Sequence, residues 1–125
     1  GHSTLREKVL GLSNLNRPAT LAEQHRMQTM LAAEMKKGSL GLSTGLEYEA
    51  AFFSSTDEVV ALAKTAARYK GRYTSHIRSE DVTLDAAVNE LIYIGKVTGM
   101  PIQFSHIKID SKCSILSKLG EIKRH

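Results

Sequence analysis

One pattern occurs three times along the chain: an amphipathic helix, a glycine that ends it, a short strand and a polar loop. The helices are predicted over 20–38, 55–71 and 83–99, and the strands over 39–43, 72–76 and 102–107. Each unit takes about 30 residues, the length of one helix-and-strand step in a parallel sheet. Because parallel strands need helical crossovers, the pattern predicts an α/β fold.

Two of these helices begin with the signature of a capping box. Thr20 is followed by Glu23, and Ser55 is followed by Glu58. At this spacing the hydroxyl at the N-cap and the carboxylate three residues later satisfy each other's backbone N–H groups. The two pairs therefore predict where these helices start.

Two architectures are compatible with this pattern, a doubly wound sheet and a (β/α)8 TIM-type barrel. Gly41 and Gly45 precede a long loop rather than a helix, so they do not form a phosphate-binding motif and a nucleotide-binding fold is disfavoured. A closed barrel needs roughly 200 residues or more. The 125 residues are therefore predicted to form a single domain, a partial barrel of about three to four βα units with open edges at its terminal strands.

Composition excludes several classes of protein. The chain is 42% hydrophobic and 24% charged, as ordinary globular domains are. Its net charge is +4, but the lysines are scattered and no aromatic residues interleave with them, so a nucleic-acid partner is not expected. No apolar run approaches the roughly 18 residues of a membrane helix, and the single Cys113 cannot form an internal disulfide, which together predict a cytoplasmic protein. A first residue other than Met suggests a piece of a longer protein.

Two histidines stand near the ends of predicted strands, His76 in RYTSHIRSE (72–80) and His106 in PIQFSHIK (101–108). Parallel strands lie about 4.8 Å apart, so two imidazoles at matching depth can reach one metal ion at about 2.0–2.1 Å. The alternative is that each is a hydrogen-bonded interior residue. The spacing alone favours that alternative, because catalytic zinc sites use three protein ligands and only two are found here.

The remaining candidates for metal binding are weaker. Cys113 follows His106 by seven residues in a tail that is predicted to be helical, and it is not expected to be a ligand. His2, His25 and His125 are expected to be solvated or structural.

Four motifs in order give the chain a resemblance to a known family. They are GHSTLR (1–6), GSLGLSTGLEY (38–48), RYTSHIRSE (72–80) and PIQFSHIK (101–108). The sequence resembles the N-acyl-D-amino-acid deacylases, or D-aminoacylases, which are metal-dependent members of the amidohydrolase superfamily. The resemblance covers nearly all of residues 1–110 and leaves 111–125 as a divergent tail. Since the family is built on a (β/α)8 barrel with an added small β domain, it implies that this chain is the middle of such a barrel.

The resemblance also implies roles for particular residues. It makes His76 and His106 ligands of a zinc ion, and Tyr48 and Lys108 contacts for the substrate. A lysine in a partly closed pocket suits a substrate carboxylate. Without the resemblance, Lys108 would be a surface charge and Tyr48 a loop aromatic that covers the core.

Two charged residues follow His76 on the same loop. Arg78 and Glu80 are predicted either to form an ion pair that supports the metal site from outside the ligand set or to be a plain solvated pair.

The reaction that the resemblance implies is hydrolysis of the amide bond of a small-molecule N-acyl-D-amino acid, in which zinc polarises the acyl carbonyl and activates water. The family's paired histidines, bridging cysteine and proton-carrying aspartate have no counterpart in these 125 residues. No catalytic base is therefore assigned, and the chain alone is expected to be inactive and to bind zinc weakly.

Two other interpretations stay open. One is a different amidohydrolase, such as a relative of dihydroorotase or hydantoinase, although Tyr48 and Lys108 in their motifs argue against it. The other is a truncated, non-catalytic half-barrel that self-associates by pairing its open strand edges with a second copy.

Overall fold

The computed structural model describes residues 1–80 and 83–106. Within these residues one parallel sheet has the order β1-β2-β3, with β1 at Gly41–Gly45, β2 at Arg72–His76 and β3 at Ile102–Phe104. The helices are α1 (His2–Leu10), α2 (Leu21–Lys36), α3 (Glu49–Phe52), α4 (Thr56–Ala67) and α5 (Leu84–Thr98), with a short 3₁₀ helix at Leu12–Asn14. The prediction of an α/β fold with parallel strands is confirmed.

Local signals set the ends of the long helices. Thr20 and Glu23 form the predicted capping box at the start of α2, with both side chains bonded to the partner's backbone N–H. Helix α5 ends at Gly99, whose φ of 64° lies in the left-handed region that glycine adopts at low cost. Strand β2 covers the predicted residues.

The first strand starts two residues later than predicted, at Gly41 instead of Ser39. The turn that follows α2 takes up Ser39, because the Gly38 N–H donates to Met35 O and the Ser39 N–H donates to Glu34 O. The strand also ends two residues later than predicted, at Gly45 rather than Ser43. This shift brings the segment after Gly45 to the carboxyl edge of the sheet.

Helix α4 packs on β1 and β2 and lies between α2 and α5. Its Leu62, Tyr73 of β2 and Ile94 of α5 are completely buried. Burial of an aliphatic side chain of this size contributes about 1.5–3 kcal/mol. The first two strands approach closely at Gly41, where a Cβ atom would lie only 1.9 Å from Arg72 O, so only glycine fits there. Among the described residues, no helix has the length and apolarity needed to cross a membrane.

A buried ion cluster, here called the Glu58 cluster, consists of His2, Arg6 and Glu58 and joins α1 to α4. All three side chains are fully buried. Arg6 Nη1 donates to both carboxylate oxygens at 2.7 Å, and His2 Nε2 lies 2.8 Å from Oε1. The Ala19 N–H donates to Oε2 at 3.0 Å. The cluster therefore replaces the water that this carboxylate loses on burial.

This cluster changes the predicted capping of α4. The Ser55 hydroxyl accepts from the Glu58 N–H as predicted, but the Glu58 side chain turns into the cluster instead of completing the capping box. Burial raises the pKa of the Glu58 carboxyl, but the hydrogen bonds from His2, Arg6 and Ala19 outweigh this effect and hold the pKa below its ordinary value. His2 is thus structural, while His25 is exposed on α2, and both outcomes agree with the sequence analysis. His125 lies outside the described residues.

Candidate metal centre

The two strand-end histidines meet at the carboxyl edge of the sheet. His76 is the last residue of β2, and β3 pairs Phe104 with Ser75, so His106 lies one residue beyond the level of His76. The Ser105 N–H donates to Ser75 O at 2.9 Å and holds the start of the loop after β3 against β2. The offset of one residue is small enough for the two imidazole rings to touch.

The two rings meet through one nitrogen each. His76 Nδ1 lies 2.6 Å from His106 Nε2, and the ring centroids are 4.4 Å apart at an interplanar angle of 65°. His76 is 6% exposed, whereas the side chain of His106 is 36% exposed. The site is therefore closed on the side of β2 and open on the side of β3.

Two carboxylates lie on the outer nitrogens of these rings. Glu47 Oε2 is hydrogen-bonded to His76 Nε2 at 2.5 Å. Glu80 Oε1 is 2.8 Å from His106 Nδ1 and 3.9 Å from His76 Nδ1. We call these four residues the histidine cluster. Neither Glu47 nor its contact with a histidine was predicted, since the predicted strand ended four residues before Glu47 instead of two.

The donor set fits a divalent metal ion. An ionised carboxylate only accepts hydrogen bonds, so Glu47 favours a proton on His76 Nε2, whereas Glu80 Oε1 approaches His106 Nδ1 at 2.8 Å without the geometry of a hydrogen bond. The inner contact at 2.6 Å is then a hydrogen bond in which His106 Nε2–H donates to the lone pair of His76 Nδ1, and a divalent cation in place of that proton would meet one nitrogen of each ring. One ligand atom each from His76, Glu80 and His106 lies within 4.8 Å of the others. The sequence analysis counted only the two histidines, and the structure adds the Glu80 carboxylate as a third group within reach.

Tyr48 lies over His76. Its ring stacks on the imidazole with centroids 4.6 Å apart at 29°, and its hydroxyl is 3.4 Å from His76 Nδ1. Gly45 leaves room for this ring, since a Cβ atom there would be 2.6 Å from Tyr48 Cδ2. Tyr48 is 57% exposed, so its hydroxyl borders both the histidines and solvent. It is therefore a wall of the site rather than a cover of the core.

The predicted ion pair between Arg78 and Glu80 is wrong. Arg78 Nε and Nη2 donate to the two oxygens of Glu90 on α5 at 3.0 and 2.9 Å, and its Nη1 donates to Phe52 O at 2.6 Å. Glu90 also accepts from the Thr56 hydroxyl at 2.7 Å. The planar guanidinium forms a bidentate pair with Glu90 and leaves Glu80 to the histidines. Arg78 thus ties the loop after β2 to α3 and α5.

One further predicted site residue, Lys108, and the cysteine that was not expected to be a ligand fall outside the structural description. Lys108 and Cys113 lie in 107–125, which the structure does not describe. The described part of the centre therefore consists of the histidine cluster and Tyr48.

Comparison with known proteins identifies the class to which this arrangement belongs. No family model matches the chain. A solved D-aminoacylase, described as defining a subset of amidohydrolases, superposes with a TM-score of 0.84 at 34% identity over 90% of this chain and 23% of its own. The N-acyl-D-glutamate deacylase of Bordetella bronchiseptica, solved with zinc and a phosphonate inhibitor, superposes with a TM-score of 0.89 at 35% identity over 99% of this chain and 26% of its own. The fold of the chain is therefore similar to that of part of an amidohydrolase.

Relatives from Alcaligenes xylosoxydans xylosoxydans narrow this class. Its D-aminoacylase is 34% identical over 109 residues, and its N-acyl-D-glutamate deacylase is 37% identical over 111 residues. These matches cover 87% and 86% of this chain but 22% of each relative, so the chain spans about a fifth of their length. The chain is a homologue of the D-aminoacylases and N-acyl-D-amino-acid deacylases, which confirms the resemblance seen in the four motifs.

Proposed function

We propose that this chain is the zinc-binding segment of an amidohydrolase that hydrolyses N-acyl-D-amino acids to a D-amino acid and a carboxylate. The observation that carries the proposal is the convergence of His76 Nδ1 and His106 Nε2 at the carboxyl edge of a parallel sheet. In parallel α/β enzymes this edge is where ligands bind.

A partial (β/α)8 barrel is the architecture proposed for the segment. The three strands are neighbours in chain order, as successive barrel strands are. An open groove of about 760 Å³ runs along the sheet and is lined in part by Ser43, Thr74 and Gln103. In a barrel, a sheet face of this kind would be enclosed by the remaining strands.

In this proposal His76 and His106 hold the metal, and Glu80 is close enough to join them. A bound zinc ion would supply Lewis-acid polarisation of the acyl carbonyl and activation of water. Tyr48 would donate its hydroxyl to the substrate from the rim of the site, a role that its exposure and its contact with His76 permit. Lys108, as a cation, would pair with the substrate carboxylate. Glu47 and Arg78 would hold the ligand and its loop in place.

Zinc and substrate class come from the relatives. The Bordetella deacylase was solved with zinc, and D-aminoacylase has a binuclear metal centre. The relatives include a D-aminoacylase and deacylases of N-acyl-D-glutamate and N-acyl-D-aspartate. They favour a deacylase over a relative of dihydroorotase or hydantoinase.

The first test is zinc binding by the chain itself, measured by competition with a chromophoric chelator. The wild-type chain is expected to bind zinc, and His76→Asn and His106→Asn are expected to lose that binding. His25→Asn is the matched control, because His25 is exposed on α2 and distant in sequence from the centre. Equal binding by all three variants would place the metal elsewhere and overturn the proposal.

The second test concerns the reaction. The aligned segment of D-aminoacylase is replaced by this chain, over the 109 residues that match. Hydrolysis of N-acyl-D-amino acids by the chimera is then measured. The chimera is expected to be active only with metal, and His76→Asn is expected to abolish that activity. The isolated chain is expected to be inactive, because the proposal assigns its own residues to metal and substrate binding and none to proton transfer.

A further inference from the structure

We infer that Glu47 is a positioning residue that fixes the tautomer and orientation of His76, so that Nδ1 of this histidine is the metal-binding atom. The inference rests on the proposed metal centre. It concerns a residue to which neither the motifs nor the comparisons gave a role.

Backbone contacts bring Glu47 to this position. Strand β1 ends at Gly45, which is paired in register with His76 at the end of β2. The next backbone N–H, that of Leu46, donates to His76 O at 3.0 Å, and the Leu46 side chain is buried. These contacts hold the backbone of Glu47 beside His76, and the Glu47 carboxylate lies 2.5 Å from His76 Nε2. A flexible surface side chain would lack this anchor.

Hydrogen-bond chemistry then decides the tautomer. A neutral imidazole has one N–H donor and one acceptor nitrogen, and an ionised carboxylate only accepts. The bond to Glu47 requires the proton of His76 on Nε2. Nδ1 is left with its lone pair, and this atom is the one that points at His106 Nε2 from 2.6 Å. In the other tautomer, Nδ1 would carry a proton and could not bind a metal.

Glu47 and Tyr48 also restrict rotation of the ring. Tyr48 stacks on one face of the imidazole, with 4.6 Å between centroids, while Glu47 fixes its outer edge. Without the carboxylate, the imidazole can flip and exchange the positions of its two nitrogens. Loss of such a carboxylate partner costs roughly 10–100-fold in metal affinity in proteins where it has been removed.

The contribution of Glu47 to folding should be small. Its side chain is 39% exposed, and polar contacts of exposed carboxylates contribute little to stability. A merely structural hydrogen bond would change stability alone, whereas a positioning residue changes the tautomer and the metal affinity. These two effects are measured separately.

The experiment compares Glu47→Ala, Glu47→Gln and Glu49→Ala with the wild-type chain. Glu49 is exposed at the start of α3, so Glu49→Ala removes the same charge near the site without touching His76. The tautomer of His76 is read from ¹⁵N shifts of the imidazole in metal-free protein, at a pH above the imidazole titration range. Zinc affinity is measured by chelator competition.

We expect the wild-type chain and Glu49→Ala to show His76 protonated on Nε2. Glu47→Ala should give a mixture of tautomers and bind zinc roughly 10–100-fold more weakly. Glu47→Gln, which keeps a neutral acceptor of the same length, should lie between them in zinc affinity. Wild-type protonation on Nδ1, an unchanged tautomer in Glu47→Ala, or equal zinc affinities of Glu47→Ala and Glu49→Ala would overturn the inference.

The two readouts also separate this inference from the proposed function. If the wild-type chain bound no zinc, the proposed metal centre would fail, and with it the metal-positioning role of Glu47. If zinc bound through His76 and His106 but the tautomer did not depend on Glu47, only the positioning role would fail.

Discussion

The Glu58 cluster and the histidine cluster both combine histidine with glutamate, but they differ in what neutralises the carboxylates and in how exposed they are. In the Glu58 cluster the protein supplies its own cation, since Arg6 donates to both oxygens of a carboxylate that is completely buried. In the histidine cluster the carboxylates lie outside, on imidazole nitrogens, and the two inner nitrogens face each other. A buried carboxylate that is compensated by the protein's own arginine joins the elements of the fold, whereas two adjacent imidazole nitrogens at a strand edge are suited to an external cation.

The remaining donors of Arg6 strengthen this contrast. Its Nε donates to Ala50 O at 2.7 Å, and its Nη2 donates to Leu15 O at 3.1 Å and Arg17 O at 2.7 Å. The guanidinium thus fastens α1, the segment before α2 and the α3 helix to one buried point. Its role is explained by packing and hydrogen bonding alone.

The largest expected effect is on stability. Glu58→Ala leaves the Arg6 charge buried without its partner, and breaking a buried ion pair in this way costs about 3–5 kcal/mol. Glu47→Ala should cost no more than about 1 kcal/mol, since that carboxylate is partly exposed. Urea denaturation followed by circular dichroism measures both. Equal losses in the two variants would show that the clusters do not differ as described.

Zinc should stabilise the chain through the histidine cluster alone. A ligand that binds only the folded state adds about 2.7 kcal/mol to the free energy of unfolding at 100 times its dissociation constant. We expect this gain in the wild-type chain and in His25→Asn, and its absence in His76→Asn. Thermal unfolding with and without zinc, at matched protein concentration, measures it. A gain that survives in His76→Asn would contradict the assignment.

Acid should weaken the Glu58 cluster. The pKa of Glu58 is lowered on folding. Its contribution to the free energy of unfolding is therefore fully present above the unfolded pKa of about 4.3 and is lost as pH falls through the folded pKa. Glu23 acts in the same direction, because the hydrogen bond from Arg17 and then the Thr20 N–H lower its pKa to about 2. Urea midpoints measured from neutral pH into acid should fall less steeply in Glu58→Gln than in the wild type. The same slope in both would show that Glu58 is not the group responsible.

How far the sequence predicted the fold depends on how local each signal was. The capping box of α2, the glycine after α5 and the bounds of β2 were predicted from neighbouring residues and are confirmed. The start of β1 was misplaced because the last hydrogen bonds of α2 extend over residues that a strand could also use. Because of that error the contact between Glu47 and His76 was not predicted, since it depends on where β1 ends.

The site was predictable only in part for a related reason. Strand-end positions allowed His76 and His106 to meet, but the prediction that they share a site came from the family resemblance. The partner of Arg78 depends on how α5 packs against the loop after β2. Likewise, Ser55 and Glu58 have the spacing of a capping box, yet a buried arginine from α1 competes for the same carboxylate. Such choices are set by tertiary contacts, which spacing along the chain does not encode.

The smallest predicted effect is a coupling in stability between the cap of α4, formed by Ser55, and the Glu58 cluster. Ser55→Ala removes the acceptor of the Glu58 N–H, and loss of an N-cap hydroxyl costs about 1 kcal/mol. Because the same backbone position carries the Glu58 side chain into the cluster, Ser55→Ala should cost less in a Glu58→Gln background. A double-mutant cycle by urea denaturation should give a coupling of about 0.5 kcal/mol or more. Strict additivity of the two stability losses would mean that the cap and the cluster act independently. Zinc affinity should be unchanged in Ser55→Ala, because the histidine cluster lies on other elements.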